Sequence, residues 1–243
     1  MKGASPEGAR SEREAADWVR QMFGRVAHRY DLANHLLSFN IDRHWRARTV
    51  ACLSGVLSRP GARTLDLCCG TGDLLIALER GGARPALGMD FCHPMLVEAR
   101  RKLQEQGLRS QVFEADALRL PLADSSLDLI TVAFGFRNLA NYQAGLAEMR
   151  RVLRRGGMAA ILEFSRPPNR LFAAAYGFYS RRILPVVGGW VSGERDAYRY
   201  LPDSVRKFPS PEELAGGMRR AGFTDVRFER MTGGIVALHL GSV

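Results

Sequence analysis

The chain has 243 residues, and because 46% of them are hydrophobic it can build one sizeable core. Its 35 Lys and Arg residues against 25 Asp and Glu residues give a formal net charge of +10, which favours a polyanionic partner such as nucleic acid or an anionic membrane surface. The four cysteines lack C-x-x-C spacing, which argues against a zinc site and a disulfide framework. There is no apolar run of about 20 residues, which argues against a membrane span. Because no signal segment is found either, we predict a cytoplasmic protein.

The N-terminal part divides into a polar tail and a helical segment. Residues 1–11 are small, polar and rich in Gly and Pro, which predicts a disordered tail. Apolar side chains then recur at helical spacing as far as about Ala27, as in a helix that lays one face on the body of the protein. We expect residues 12–58 to form an N-terminal helical lid and residues 59–243 to form the main domain.

A glycine-rich loop follows the first predicted strand. Residues 64–73 read TLDLCCGTGD, and a helical pattern begins directly after them, so the segment predicts a strand, a tight loop and a helix. Gly70 and Gly72 lack a Cβ and would let a cofactor approach the helix N-terminus. The third glycine of the dinucleotide fingerprint is replaced by Leu75, which disfavours a nicotinamide or flavin cofactor.

Acidic side chains mark the ends of successive predicted strands. Asp66 lies in the first strand, and with the Gly-Thr-Gly turn around Thr71 it resembles the first motif of Rossmann-like S-adenosylmethionine-dependent methyltransferases. Asp90 ends the second strand, where an acid can accept hydrogen bonds from both ribose hydroxyls. Asp116 ends the third strand and would bond an adenine amino group, with the backbone amide of Ala117 beside it. Any one of them alone would be read as a solvated turn acid, but their succession favours one nucleoside site.

The remaining elements predict a doubly wound α/β sheet. Residues 127–133 are apolar nearly throughout, which is typical of a parallel strand covered on both faces. Further along the chain we predict a helix at 144–153 ended by Gly156 and Gly157, a strand at 158–162, a helix at 211–221 capped by Ser210, and an antiparallel strand pair at 223–231 and 235–240. This pattern indicates seven strands, mostly parallel, with the last one antiparallel.

Several motifs follow one another along the chain in one register. They are VRQMF (19–23) leading to RYD (29–31) and WR (45–46), then LCCGTGD (67–73), FGFRN (134–138), LEFSRP (162–167), YRYLPDS (198–204) and TGGIVALH (232–239). Together they resemble the motifs of the ubiquinone/menaquinone biosynthesis C-methyltransferases, of the demethylmenaquinone methyltransferase type. The resemblance covers roughly residues 12–241.

The resemblance implies a cofactor and a set of residues that bind it. The cofactor would be S-adenosyl-L-methionine, the product S-adenosyl-L-homocysteine, and no metal would be needed. The residues expected to bind the cofactor are Asp66, Gly70, Thr71, Gly72, Asp90, Asp116, Ala117 and Ala133. Family members often carry a serine where this chain has Ala133, so only backbone groups would contact the cofactor there.

Three side chains are candidates for the chemistry on the substrate. A quinol ring carbon becomes nucleophilic when an adjacent hydroxyl loses its proton, so the site needs a group that stabilises a phenolate. Arg137, after the fourth strand, fits this role, Asn138 would hold the same oxygen or a water, and Tyr30 would contact the ring or relay a proton. Residue types alone also allow an ion pair at Arg137 and simple packing at Tyr30. For Glu163, at the end of the fifth strand, we expect a loop hydrogen bond.

Three classes of function remain open from the sequence. We expect methylation of a prenylated quinol, with demethylmenaquinol as substrate and the polyprenyl methoxy-benzoquinol of the ubiquinone pathway as the alternative. An RNA methyltransferase would suit the net charge, but no RNA-binding appendage and no Asn-Pro-Pro-Tyr motif after the fourth strand is present, so no nucleic acid partner is expected. A silent cofactor-binding subunit would not need the intact loop and acids. A monomer and a homodimer both remain open.

An insertion at about 166–208 carries a candidate membrane-facing segment. Residues 171–179 are rich in aromatic side chains, Arg181 and Arg182 follow, and residues 183–190 are apolar again. Such a segment can lie at an anionic bilayer surface, and a lipid-tailed substrate favours this. We therefore predict peripheral association with the inner face of the cytoplasmic membrane. The alternative is a helix whose apolar face packs on the sheet.

Overall fold

The computed structural model describes residues 3–83, 85–183, 186 and 195–243. The apolar segment predicted at 183–190 lies largely outside the described residues, and so does the side chain of Arg181. Among the described helices, none combines the length and the apolar character that crossing a membrane requires.

A seven-stranded sheet forms the centre of the molecule, in the spatial order β3-β2-β1-β4-β5-β7-β6. The strands are β1 (Thr64–Leu67), β2 (Leu87–Asp90), β3 (Gln111–Glu114), β4 (Leu127–Ala133), β5 (Leu153–Phe164), β6 (Thr224–Met231) and β7 (Val236–Ser242). Pairing is parallel from β3 to β5, and β7 is antiparallel to both of its neighbours. The predicted fold class is confirmed. The strand order reverses between β1 and β4, the place where such sheets bind ligands.

Helices cover both faces of the sheet. They are α1 (Glu12–Val26), α2 (Tyr30–Leu37), α3 (Ile41–Leu57), α4 (Asp73–Arg80), α5 (His93–Glu105), α6 (Tyr142–Val152), α7 (Arg170–Phe178), α8 (Arg195–Lys207) and α9 (Pro211–Arg220). The predicted N-cap of α9 is confirmed, because the Ser210 hydroxyl and the Glu213 carboxylate exchange hydrogen bonds with each other's backbone N–H groups. Such a cap fixes the start of the last helix before the antiparallel strand pair.

The N-terminal helices lie across the carboxyl ends of the parallel strands. The side chains of Val19, Met22 and Val26 form the buried face of α1, which contacts α5 and α8. The backbone N–H of Ala4 in the N-terminal tail donates to the carbonyl of Leu139, at 2.7 Å. This arrangement brings the segment predicted as a lid close to the glycine-rich loop.

Two boundaries predicted from the sequence are wrong. Gly156 and Gly157 do not end α6, since that helix stops at Val152 and Leu153 already pairs with Leu127 of β4. Gly156 instead takes φ +76° inside the long β5 strand, where its N–H donates to the chain's last residue. The third strand ends before Asp116, at Glu114, and the acid lies in the turn that follows. The positions of the glycines and of the acid predicted that turns occur here. They did not predict at which residue the hydrogen bonds between neighbouring strands begin or end.

Candidate active site

A cavity of about 760 Å³ opens at the carboxyl ends of the central strands, beneath the N-terminal helices. Nearly all of the predicted site residues line it: Tyr30, Asp66, Gly70, Thr71, Asp90, Asp116, Ala117, Ala133, Arg137 and Asn138. Residues far apart in sequence therefore meet at one place, as expected for residues at or near the carboxyl ends of neighbouring parallel strands.

Gly72 is the exception among the predicted residues. It adopts φ +85°, and a Cβ at this position would lie 3.3 Å from the Cβ of Ala99 in α5. Gly72 therefore permits the sharp turn into α4 and its close packing on α5, and it does not belong to the cavity wall. Gly70, with φ +54°, has only open space where a Cβ would stand, so its backbone is accessible from the cavity.

Asp90 joins the glycine-rich loop to β2. One carboxylate oxygen, Oδ2, accepts from the N–H of Gly70 at 2.9 Å, and Oδ1 accepts from the N–H of Cys92 at 2.9 Å. Burial raises the pKa of this carboxyl to about 6 although the backbone donors act to lower it. Each oxygen keeps a lone pair, so the carboxylate can accept two more donors from a ligand.

Asp66 is fully buried at the base of the cavity and only half satisfied. Its Oδ1 accepts from the hydroxyl of Thr131 at 2.7 Å, whereas Oδ2 has no hydrogen-bond partner. Burial raises the pKa of Asp66 to about 7, because the charged form loses its hydration. A cation or a hydrogen-bond donor in the cavity would complete this group. Thr131 was not among the residues predicted from the sequence, although a hydroxyl within an apolar strand was a usable signal.

The acid in the turn after β3 lies near the edge of the cavity. Asp116 is exposed, and its Oδ1 accepts from the N–H of Leu118 at 2.8 Å. Ala117 beside it is buried and lines the same wall. One carboxylate oxygen of Asp116 therefore fixes the turn and the other is left for a ligand.

Arg137 is buried next to Glu163. The backbone N–H of Arg137 donates to Glu163 Oε1 at 3.0 Å, and Nη1 lies 3.2 Å from both carboxylate oxygens. The guanidinium also lies over the ring of Phe164, 5.3 Å from its centroid, and Nε has no hydrogen-bond partner. Burial acts to lower the pKa of Arg137, but Glu163, Tyr30 and Tyr200 together outweigh it and the pKa is raised, so the group stays cationic. Glu163 therefore accepts the loop hydrogen bond that the sequence predicted. Arg137 makes the ion pair that its residue type allowed.

Two tyrosines stand close to this ion pair. The hydroxyl of Tyr200, on α8, donates to Asn138 Oδ1 at 3.1 Å and so fixes the orientation of the side-chain amide. Tyr30 packs edge-on against Phe23, with ring centroids 5.8 Å apart. Burial raises the pKa of Tyr30, and the charge of Arg137 opposes that shift. Tyr200 was missed as a site residue, although it lies in one of the recognised motifs.

Charged side chains fasten the N-terminal helices to the glycine-rich loop. Asp31 of α2 accepts from the hydroxyl of Thr71 at 2.5 Å and from Lys102 at 2.6 Å. Lys102 also pairs with Asp73, the first residue of α4, and Arg46 of α3 reaches the same carboxylate at 3.2 Å. These contacts connect four helices, α2, α3, α4 and α5, through one polar cluster.

The same cluster contains a set of atoms that resembles a metal site. Ligand atoms of His35, Asp42 and Asp73 lie within 4.8 Å of one another. Arg46 already pairs with both carboxylates, and His35 Nδ1 lies 2.8 Å from Asp42 Oδ2. The arginine supplies the positive charge at this point, so the arrangement fits an ion-pair cluster.

Comparison with known proteins decides the family. A model of the ubiE/COQ5 methyltransferase family matches residues 9–243. The chain belongs to this family. A demethylmenaquinone methyltransferase of Thermus thermophilus is 48% identical over 221 residues, covering 90% of this chain and 99% of its own. A ubiquinone/menaquinone biosynthesis C-methyltransferase UbiE of Teredinibacter turnerae is 43% identical over 233 residues, covering 94% and 92%. The resemblance inferred from the motifs is confirmed.

Solved structures share the fold of this ubiE/COQ5 family member. A methyltransferase of Thermotoga maritima aligns with a TM-score of 0.64 and 20% identity, over 91% of this chain and 98% of its own. One of Aquifex aeolicus aligns with a TM-score of 0.58 and 20% identity, over 80% and 88%. Both are described as dependent on S-adenosylmethionine, and at this identity the likeness concerns the fold. The chain is a methyltransferase with the Rossmann-like fold.

The half-satisfied Asp66 gives the stability of this enzyme a distinctive pH dependence. Its carboxyl has a pKa of about 7 when folded, against about 3.9 in an unfolded chain. Between these values the folded state binds more protons than the unfolded state, so this group makes stability fall as pH rises. Asp66→Asn removes that contribution and keeps an oxygen for Thr131. Urea denaturation without cofactor should show the variant gaining stability relative to the parent protein as pH rises through this window; a pH-independent difference would contradict the assignment.

Proposed function

We propose that this protein transfers a methyl group from S-adenosylmethionine to a ring carbon of demethylmenaquinol. The observation that carries the proposal is one cavity lined by the unsatisfied carboxylate of Asp66 and by the buried guanidinium of Arg137. Relatives named demethylmenaquinone methyltransferase, at 48% and 44% identity, support the choice of quinol. The UbiE relatives, whose name includes ubiquinone, keep a ubiquinone-pathway benzoquinol as the second candidate.

The polar groups at the base of the cavity suit S-adenosylmethionine. Bound there, the cofactor supplies a methyl group on a sulfonium, which is already electrophilic. Asp66 Oδ2 would pair with the ammonium group, and the remaining lone pairs of Asp90 would accept from the ribose hydroxyls. The exposed acid Asp116 would bind the adenine amino group, with the amide of Ala117 beside it.

Backbone groups and one hydroxyl would complete the cofactor site. Gly70 offers an open backbone surface, and Ala133 has no side-chain donor, so only its backbone can contact the cofactor. The hydroxyl of Thr71 donates to Asp31 and lines the cavity, so it has a lone pair for the cofactor. Gly72 supports the site indirectly, through the turn into α4. We propose no metal ion, because the carboxylates that could bind one are paired with Arg46 and Lys102.

Arg137 would stabilise the negative charge that activates the ring. A phenolate oxygen in the cavity would lie near the positive charge of the Arg137 guanidinium. Because Glu163 and the Phe164 ring hold the guanidinium, the charge is in place before the reaction. With its pKa raised further, Arg137 does not act as the base.

Asn138 and Tyr30 would act on the substrate and on the proton that leaves it. The amide of Asn138, fixed by Tyr200, would hold the phenolate oxygen or a water that takes the ring proton. Tyr30 would contact the ring from the lid side of the cavity. These roles follow from the positions of the side chains around one shared cavity.

The substrate and the charge of the protein suggest where it works. We propose a cytoplasmic protein that docks on the inner face of the cytoplasmic membrane, since the prenyl tail of the quinol resides in the bilayer and the chain carries a net charge of +10. Nucleic acid is not proposed as a partner. Every residue proposed for the site comes from one chain, so a homodimer is compatible with the proposal but not required by it.

The first experiment offers three acceptors side by side. Purified protein with methyl-labelled S-adenosylmethionine is incubated with demethylmenaquinol, with the demethylated ubiquinol precursor and with total RNA, and products are separated by mass spectrometry. We expect label in menaquinol, because the site is built for a phenolate. Label only in the benzoquinol would favour the second candidate, and label only in RNA would contradict both.

The second experiment tests the ribose contact. Asp90→Ala removes the acceptor of two hydroxyls in a buried site and should weaken binding of S-adenosylhomocysteine by about 2 kcal/mol, measured by calorimetry. Asp128→Ala is the matched control, because Asp128 is a buried acid that accepts from the N–H of Arg63 at the opposite end of β4. The control should lose stability but not affinity. Unchanged affinity in Asp90→Ala would rule out the contact.

The third experiment separates charge stabilisation from structure. Arg137→Lys should keep cofactor affinity and lower turnover by about a hundredfold, because an ammonium cannot replace the planar donor set held by Glu163. Arg154→Lys is the matched control. Arg154 lies on β5 and pairs with Asp128 of β4 at the end of these strands far from the cavity, so this variant should keep a turnover near that of the parent protein. Equal losses of cofactor affinity and turnover in Arg137→Lys would mark Arg137 as a structural residue.

A further inference from the structure

Large apolar side chains are exposed on two neighbouring segments of the chain. We call them the apolar rim: Leu32, Leu36, Phe39 and Ile41 at the α2–α3 corner, and Leu171, Phe172, Phe178 and Val186 in and after α7. Phe39 is 73% exposed, Phe178 62% and Leu171 85%. In the described ranges of the chain, the other large apolar side chain exposed to a similar degree is Val97 on α5. Such clustering on one side marks an interaction surface.

Direct contacts join the two segments into one surface. The hydroxyl of Tyr179, which follows α7, donates to the carbonyl of Leu37 at 2.8 Å. The rings of Phe39 and Tyr179 have centroids 6.3 Å apart. Phe39 and Asn40 both adopt left-handed backbone angles, with φ +52° and +59°, which non-glycine residues seldom do in succession. The corner is thus a fixed feature that presents Phe39 outward.

The outward face of α7 is apolar, which is unusual for a surface helix. Leu171, Ala174, Ala175 and Phe178 are exposed, whereas Tyr176 lines the cavity on the other side. A surface helix in water normally directs its polar side chains outward. One alternative predicted from the sequence was that this segment packs its apolar face on the sheet. Instead, its most apolar side chains are exposed.

The apolar rim adjoins the active-site cavity. Leu37, Phe39 and Ile41 line the cavity from the corner, and Tyr176 and Tyr179 line it from the α7 side. An apolar chain leaving the cavity between these segments would therefore emerge at the rim without crossing water.

The charges around the rim suit an anionic surface. Arg43 beside the corner and Arg170 and Arg182 beside α7 are exposed. Asp31 and Asp42, the acids of the corner, are turned inward to Lys102 and Arg46. The sequence contains no acid between Glu163 and Glu194. Cations next to exposed apolar side chains are the combination that binds the headgroup region of anionic bilayers.

We propose that the apolar rim inserts into the headgroup boundary of an anionic bilayer, and that the α2–α3 corner and α7, which both line the cavity, enter together. The docking step stands on the exposed surface itself, whereas the passage of a prenyl tail between the two segments rests on the proposed function. The corner is the new element, since the sequence directed attention only to the 166–208 insertion.

Vesicle co-sedimentation without quinol tests both halves of the surface. The vesicles contain phosphatidylcholine and phosphatidylglycerol in equal parts, with pure phosphatidylcholine and high salt as comparisons. Leu36→Ser at the corner and Phe178→Ser on α7 should each weaken partitioning by about tenfold, the order expected for losing one buried large apolar side chain. Val97→Ser is the matched control, because Val97 is 45% exposed on α5, and it should bind like the parent protein.

Three outcomes would overturn the proposal. The parent protein could fail to bind anionic vesicles at low salt, or both rim variants could bind like Val97→Ser. Alternatively, analytical ultracentrifugation could reveal a dimer that Leu36→Ser and Phe178→Ser dissociate, in which case a second copy of the chain covers the rim. A loss in Phe178→Ser alone would remove the corner from the docking surface.

An activity measurement separates this proposal from the proposed function. Leu36 and Phe178 do not belong to the cavity wall, so both variants should methylate a tail-less quinol as fast as the parent protein and lose activity only on prenylated quinol in vesicles. Vesicle binding by a protein that methylates no quinol would contradict the proposed function and leave the docking result standing.

Discussion

Two buried carboxylates at the ends of adjacent parallel strands set the conditions for the rest of the site. The apolar sheet removes Asp66 and Asp90 from water, which raises the pKa of both and makes their ionised forms costly without partners. Asp90 gains two backbone donors by holding the glycine-rich loop, whereas Asp66 keeps one oxygen unpaired. Burial of these two carboxylates thus explains both the conformation of the glycine-rich loop, which Asp90 holds, and the favourable site for a cationic group at Asp66.

On the basic side of the cavity, the charged group already has its partner within the protein. Arg137 is paired with Glu163 and lies on the ring of Phe164, so its cationic, planar donor group is held in one orientation. Tyr200 fixes the neighbouring Asn138 in the same way. A developing oxyanion would meet donors that need no rearrangement, which is the condition under which electrostatic stabilisation accelerates a reaction most.

The N-terminal helices belong to the site electrostatically as well as sterically. Asp31 connects α2 to Thr71 of the glycine-rich loop, and Lys102 and Arg46 connect it through Asp73 to α3. Because these acids are turned toward inward cations, the outer surface of the same helices is left with apolar and basic side chains. One set of ion pairs therefore closes the cavity and shapes the exposed corner above it.

The sequence by itself determined the sheet, the glycine-rich loop, the strand-end acids and the family, because these depend on local periodicity and on motifs that occupy few residues. It did not determine that Gly72 packs on α5, that Asp66 meets Thr131, or that Glu163 pairs with Arg137, since each depends on the register between strands or on helices that meet only after folding. Exposure is likewise a tertiary property. The apolar sequence of α7 allows both a membrane-facing helix and a helix packed on the sheet, and only the packed structure decides which side chains of α2 and α7 face outward.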